Sequence, residues 1–258
     1  MPPTQYLSLV DSMARMSLRA DASKYYLGYI WWILEPLLYV LVFYVVFNVI
    51  LDSKRADFLI FLMCGKLPFI WFSKSVTQAS NSIVGNKGLI GKINITKTLF
   101  PMAIVQEGLY KQVAVFALLI AVLIFYGYSV SVTWLWLIPV IIVNYLMIVA
   151  CSLVGAALVC VVRDFSMLIS LGMIFLMFTS GLFWDVHALA DPEMTSLVLT
   201  FNPLAFILDC YRQIFMYQAT PDLSHLAILG IGWLLLLAAI VWAINRSGQY
   251  LALKAMTA

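Results

Sequence analysis

Lys74, Gln78 and Asn81 recur at i, i+4 and i+7 inside a long apolar run that also holds Lys66. A lysine at the bilayer centre costs about 2.5–3.5 kcal/mol on insertion scales, so this stripe faces protein or water, not lipid. Two readings stay open: a helix buried against neighbours with its lysines reaching the surface, or the wall of a water-filled passage. One apolar run earlier, Trp31 and Trp32 precede Tyr39, Phe43 and Phe47, which repeat every four residues along one helical face. Such rings stack on the apolar faces of sugars, and tyrosine adds a hydroxyl that exchanges hydrogen bonds with a polar chain. The same stripe serves equally well for lipid contact or core packing.

Asp185 and His187, with Asp191 and Glu193 close behind, form an acid and histidine cluster at the edge of an apolar run. An acid/base pair there would suit a membrane-bound transferase, while a polar loop leaving a span has the same composition without any catalysis. The segment from Gly85 to Lys92 imitates a phosphate-binding loop, but its glycines are one residue too far apart. Ile93 also stands where Ser or Thr must hold magnesium. This chain therefore binds no ATP by that device. Cys64, Cys151, Cys160 and Cys210 lack both a Cys-x-x-Cys pattern and a neighbouring histidine, so they read as small hydrophobes and no metal site is expected.

The elements that must position these residues follow from composition. Of 258 residues, 64% are hydrophobic and 10% charged, whereas soluble domains carry about 45–50% and about 25%. With a mean hydropathy of +1.00, the chain reads as an all-α integral membrane protein. Its net charge of +3 is too small and dispersed for nucleic acid. A cleavable leader is not expected, because the first apolar run starts near Tyr25 with no small-residue cleavage site behind it. Six spans are read at 29–51, 57–84, 102–126, 132–162, 165–184 and 224–244 within a single domain, 1–258. Residues 1–24 form an amphipathic interfacial helix, and 85–98 a basic internal loop. Residues 185–222 hold two apolar pieces too short to span, separated by Asn202 and Pro203, and read as a re-entrant helical hairpin. No internal repeat is visible, which weakens a transporter built from inverted halves.

Basic residues orient the spans. With the amino terminus in the cytoplasm, the inner side carries Arg15, Arg19, Lys24, Lys87, Lys92, Lys97, Arg163, Arg246 and Lys254. The outer side carries only Lys54, Arg55 and Arg212. Both ends are therefore expected in the cytoplasm and the 185–222 segment outside.

Leu27-Gly28-Tyr29-Ile30-Trp31 followed by Glu35-Pro36 resembles the start of the first span in permease subunits of ATP-binding-cassette exporters, polysaccharide branch. Gly65-Lys66-Leu67-Pro68-Phe69, Phe72, Asn81-Ser82-Ile83-Val84, Leu89-Ile90, Lys92 and Phe100-Pro101 are similar to that family's second span and coupling segment. Arg163-Asp164, Asn202-Pro203-Leu204 and Tyr211-Arg212 complete the set in order. The resemblance implies a permease homodimer with two copies of a separate ATPase that binds ATP and magnesium. The pair would export a lipid-linked polysaccharide across the bacterial inner membrane: O-antigen first, capsular polysaccharide next, or wall teichoic acid. It also implies a channel lined by Trp31, Tyr39, Phe43, Phe47, Lys74 and Gln78. ATPase coupling would fall to Lys87, Leu89, Ile90 and Lys92, and an exit gate to Asn202, Pro203 and Arg212, with Arg212 near lipid or glycan-lipid phosphates. The competing readings are a membrane-embedded glycosyl- or acyltransferase using Asp185 and His187, and a small-molecule drug exporter on the same fold.

Overall fold

The computed structural model describes residues 2–50, 57–90 and 96–257, and every regular element among them is helical. Helix α1 (Pro3–Lys24) starts on a proline, whose missing N–H has no partner to lose in a first turn. Its small buried side chains Val10, Ala14 and Ala22 let it lie along the first half of α6 (Leu99–Phe125). Three polar pins fix it there. The Tyr6 hydroxyl donates to Thr98 Oγ1 at 3.1 Å, the Tyr110 hydroxyl donates to Asp11, and Lys111 Nζ meets Asp21 at 2.8 Å. The Tyr110 bond, helped by Arg15, holds the Asp11 carboxyl below the usual carboxylate range. Partial burial pushes Asp21 up, but Lys111 and Lys24 outweigh it and its carboxyl also ends lowered.

A turn with Gly28 at φ +50°, a backbone that side chains resist, leads into α2 (Trp31–Tyr44) and then a π-helical stretch, Val45–Ile50. Next come α3 (Phe58–Ser80), the short α4 (Ser82–Gly85) and α5 (Lys87–Ile90), and α6. The chain continues through α7 (Leu137–Val161), α8 (Phe165–Thr179), α9 (Pro192–Phe201), α10 (Pro203–Phe215), α11 (Leu223–Arg246) and α12 (Gly248–Thr257). Five stretches, Gly28–Phe47, Phe58–Ser80, Leu99–Phe125, Val132–Val161 and Leu223–Arg246, are long and apolar enough to cross a membrane. They coincide with five of the six expected spans. The fifth expected span, 165–184, is helical only over the 15 residues of α8. That is about 22 Å at 1.5 Å per residue. It stops because Gly181 takes φ +66° in a place so tight that a Cβ would come within 2.6 Å of Val186 Cγ2.

The expected break at Asn202 is a bend of 107° between α9 and α10. Asn202 precedes a proline, which drives it out of helical φ and ψ. Its side chain then caps α10, accepting from the Ala205 N–H at 3.1 Å, and its amide donates to Ser180 Oγ at 3.0 Å. No residue of α9 is buried, whereas nearly all of α10 returns into the bundle against α3 and α7.

Helix α3 is the axis, buried along most of its length and packed by α2, α6, α7, α8 and α10. Two glycines bring neighbours close: a Cβ on Gly108 of α6 would meet Ser75 Oγ, and one on Gly155 of α7 would meet Ser80 Oγ. Small residues at crossings are how helices pack where lipid gives no hydrophobic drive between them. Outward, α8 has no buried residue, and α11 presents Ile228, Ile231, Leu235 and Trp242. The amino-terminal helix, α4, α5 and α12 gather at one end of the bundle, where the Cys160 thiol donates to the Leu251 carbonyl at 3.1 Å. The opposite end joins Gln218, just after α10, to Ser129 at 2.9 Å.

Candidate translocation and coupling sites

Lys66 and Lys74 sit on α3 but live in different surroundings. Lys66 is buried with its ammonium 4.4 Å from the Phe43 ring centre, 5.3 Å from Phe69 and 6.0 Å from both Tyr39 and Phe183. Its Nζ also lies 3.3 Å from the Met177 sulfur. An aromatic cage of this kind holds a cation by ring quadrupoles where water is scarce. Lys74 is half-exposed and pairs with Glu35 of α2 at 2.6 Å.

Two cavities meet at Lys74. One, about 280 Å³, lies between α2, α3 and α8, with Tyr39, Lys66, Lys74, Thr77, Ser170 and Met177 in its wall. The other, about 320 Å³, lies between α1, α2, α3 and α6, and its wall includes Trp31, Trp32, Glu35, Trp71, Gln78, Glu107 and Lys111. Of the expected channel residues, Trp31, Tyr39, Lys74 and Gln78 therefore line cavities. Phe43 and Phe47 are not among the lining residues. They pack on Phe183 at 4.8 and 4.7 Å, and Phe47 also on Phe58 at 6.2 Å, so they are half-buried packing.

The coupling set divides as well. Lys87 and Leu89 are exposed, but Ile90 is buried in the core that includes Leu251 of α12. Ile90 therefore seats α5 on its own protein. Lys92 lies outside the described residues. Arg212, expected near lipid phosphate, is 2% exposed in the single chain. It stacks over the Phe61 ring at 3.5 Å and donates to the Gly181, Leu182 and Phe61 carbonyls at 2.7, 3.1 and 3.4 Å. Asn202 and Pro203 do line an apolar cavity of about 450 Å³ with Phe175, Leu197 and Phe201, between α8 and the bent pair.

The acid and histidine cluster is capping and packing. Asp185 accepts from the His187 backbone N–H at 3.0 Å, Asp191 caps α9, and the His187 ring meets Asp209 at 3.0 Å. Three polar residues in the third span, Glu107, Lys111 and Gln112, escape the reading by composition. Glu107 and Lys111 pair at 2.6 Å, and their i, i+4 spacing inside an apolar run was the available signal.

A helical bundle with five stretches long and apolar enough to cross a membrane and cavities between its helices is the architecture of an integral membrane protein. Residues 12–216 match the ABC-2 type transporter family, and the chain belongs to that family. It is 28% identical over 206 residues to the O-antigen export system permease protein RfbA of Klebsiella pneumoniae, covering 79% of this chain and 78% of that one. The protein of the same name from Myxococcus xanthus is 28% identical over 238 residues, 91% of each chain. Polysialic acid transport protein KpsM of Escherichia coli is 27% identical over 214 residues, 80% of this chain and 81% of that one. The chain is thus a transporter subunit and not an enzyme, and membership of this family implies a partner ATPase that supplies ATP hydrolysis.

Proposed function

We propose that this chain is the membrane permease of an ATP-driven exporter of lipid-linked polysaccharide in the bacterial inner membrane, O-antigen first and capsular polysaccharide next. The observation that carries the reading is the cavity of α2, α3 and α8, which unites tyrosine, two lysines and hydroxyl side chains beside helices exposed to the outside of the bundle. The names of the three relatives supply the cargo class. One chain leaves that cavity open to the side, and a second copy about a two-fold axis closes it. The pair would bind two ATPase copies through Lys87, Leu89 and the neighbouring residues that include Lys92. The basic residues at the end holding α1, α5 and α12 favour a cytoplasmic position for it. The apolar cavity at Asn202 and Pro203 then lies on the exit side.

Deleting the gene should abolish the surface polymer while lipid-linked glycan accumulates in the inner membrane, and a plasmid copy should restore both. Tyr39→Ala, which removes a cavity ring without touching the core, should lower export while leaving dimer and ATPase assembly intact. If deletion leaves the surface polymer intact and instead sensitises cells to small hydrophobic drugs, the cargo assignment is wrong.

A further inference from the structure

We propose that the cavity enclosed by α1, α2, α3 and α6 is a binding subsite for a neutral sugar residue of the exported polymer. The inference rests on the polysaccharide reading above and adds a place and a chemistry to it. The site is separate from the face that α2 and α8 expose, and Ile70 and Lys74 belong to both walls.

Charge selects the ligand first. The wall holds three carboxylates, Asp21, Glu35 and Glu107, against two ammonium groups, Lys74 and Lys111. Both ammonium groups are committed, Lys74 to Glu35 at 2.6 Å and Lys111 to Glu107 and Asp21 at 2.6 and 2.8 Å. Asp21 pairs as well with Lys24 at 3.2 Å, so the three acids are matched by three bases and no ammonium group is left over to bind a phosphate or carboxylate ligand. An apolar ligand is disfavoured too, because it would strip water from five charges without replacing a hydrogen bond.

Two unanswered donors point to what does fit. Trp71 and Gln112 line the cavity, are 3% and 4% exposed, and the Trp71 Nε1 and Gln112 Nε2 hydrogens have no acceptor among the described residues. Buried N–H groups left unpaired are rare and costly, and a bare cation would worsen that by adding charge beside them. A hydroxylated ring answers both needs. Its oxygens accept from such N–H groups, its hydroxyls donate to the carboxylates, and its C–H faces lie against the indoles of Trp31 and Trp32. The volume of about 320 Å³ falls at the small end of ligand pockets, about 300–1,000 Å³, which suits a sugar ring and not a lipid tail.

The test uses the full-length chain in lipid nanodiscs and isothermal titration calorimetry. The probe is the lipid-free, phosphate-free oligosaccharide released by mild acid from the surface polymer of the cells that make this chain. Saturable binding is expected, at least tenfold weaker in Gln112→Leu, which nearly keeps the side-chain volume and should melt close to the wild type, and in Trp71→Phe, which also gives up indole packing against Phe116 and Tyr145 and should melt lower. Inorganic pyrophosphate should neither bind saturably nor compete. No saturable heat from the oligosaccharide, wild-type affinity in both variants, or competition by pyrophosphate would each overturn the proposal. Gene deletion separates the two levels: polymer loss with no binding leaves the export reading standing and removes the subsite alone, whereas an unaffected polymer removes the export reading itself.

Discussion

Arg212 holds together three parts of the chain that are distant in sequence. Its guanidinium ties α10 to the turn after α8 and to α3, and a Cβ on Gly65 would come within 2.5 Å of its Nη2. Lysine has one nitrogen and no planar fork, so Arg212→Lys leaves a buried carbonyl unanswered, at about 1–3 kcal/mol. A drop in melting temperature of the purified protein is the expected outcome; unchanged melting with reduced export would instead return the side chain to a phosphate role. Composition marked Arg212 as one of few basic residues on its side of the membrane but could not show its surroundings, because its acceptors lie 30, 31 and 151 residues away. The aromatic stripe met the same limit. Its four-residue spacing was readable, yet what divides Tyr39 from Phe43 and Phe47 is Phe183, a ring brought in from another element.

At the scale of elements, the coupling segment makes a discriminating prediction. Ile90→Asp places a charge among buried side chains next to α12 and should lower stability and ATPase association together. Leu89→Asp, on an exposed position, should lose the ATPase in pull-down while the melting temperature holds. If both variants retain the ATPase, this segment is not the coupling element. The amino-terminal helix gives a second prediction, from pH. The carboxyls of Asp11 and Asp21 are lowered in the folded chain, so their support for α1 is complete above the ordinary carboxylate pKa, near 4. It is lost as pH falls through their lowered values. A spin label at Met16→Cys should gain mobility in that acid window and stay unchanged between pH 6 and 8. Most elements were legible because apolar length and polar breaks are local properties. The early end of α8 was not, since a left-handed glycine in a crowded turn is a tertiary outcome.

For the whole molecule, the arrangement of ends is testable without a ligand. Residues on α1, α4, α5 and α12 share one end, and the orientation proposed above, from the positive-inside bias, puts that end in the cytoplasm. In intact cells an impermeant thiol reagent should modify Asp191→Cys and spare Gly88→Cys, and the reverse pattern would invert the orientation. The proposed two-fold pairing makes its own demand: Leu171→Cys, on the outward side of α8, should cross-link to its equivalent in the second copy under mild oxidation. Absence of cross-links from every outward α8 position would place the two-fold axis elsewhere.

The lack of any buried residue on α8 bears on how such a chain can change its cargo. Substitutions at Leu168, Leu171 or Phe175 disturb little of the folding free energy, which resides in α3 and its glycine crossings. Variation can therefore accumulate along α8 at little cost to folding, while α3 is held fixed by foldability. A mutant library confined to the outward positions of α8 should keep most members expressed and membrane-inserted, and it is the place to begin retargeting the exporter to a different polymer.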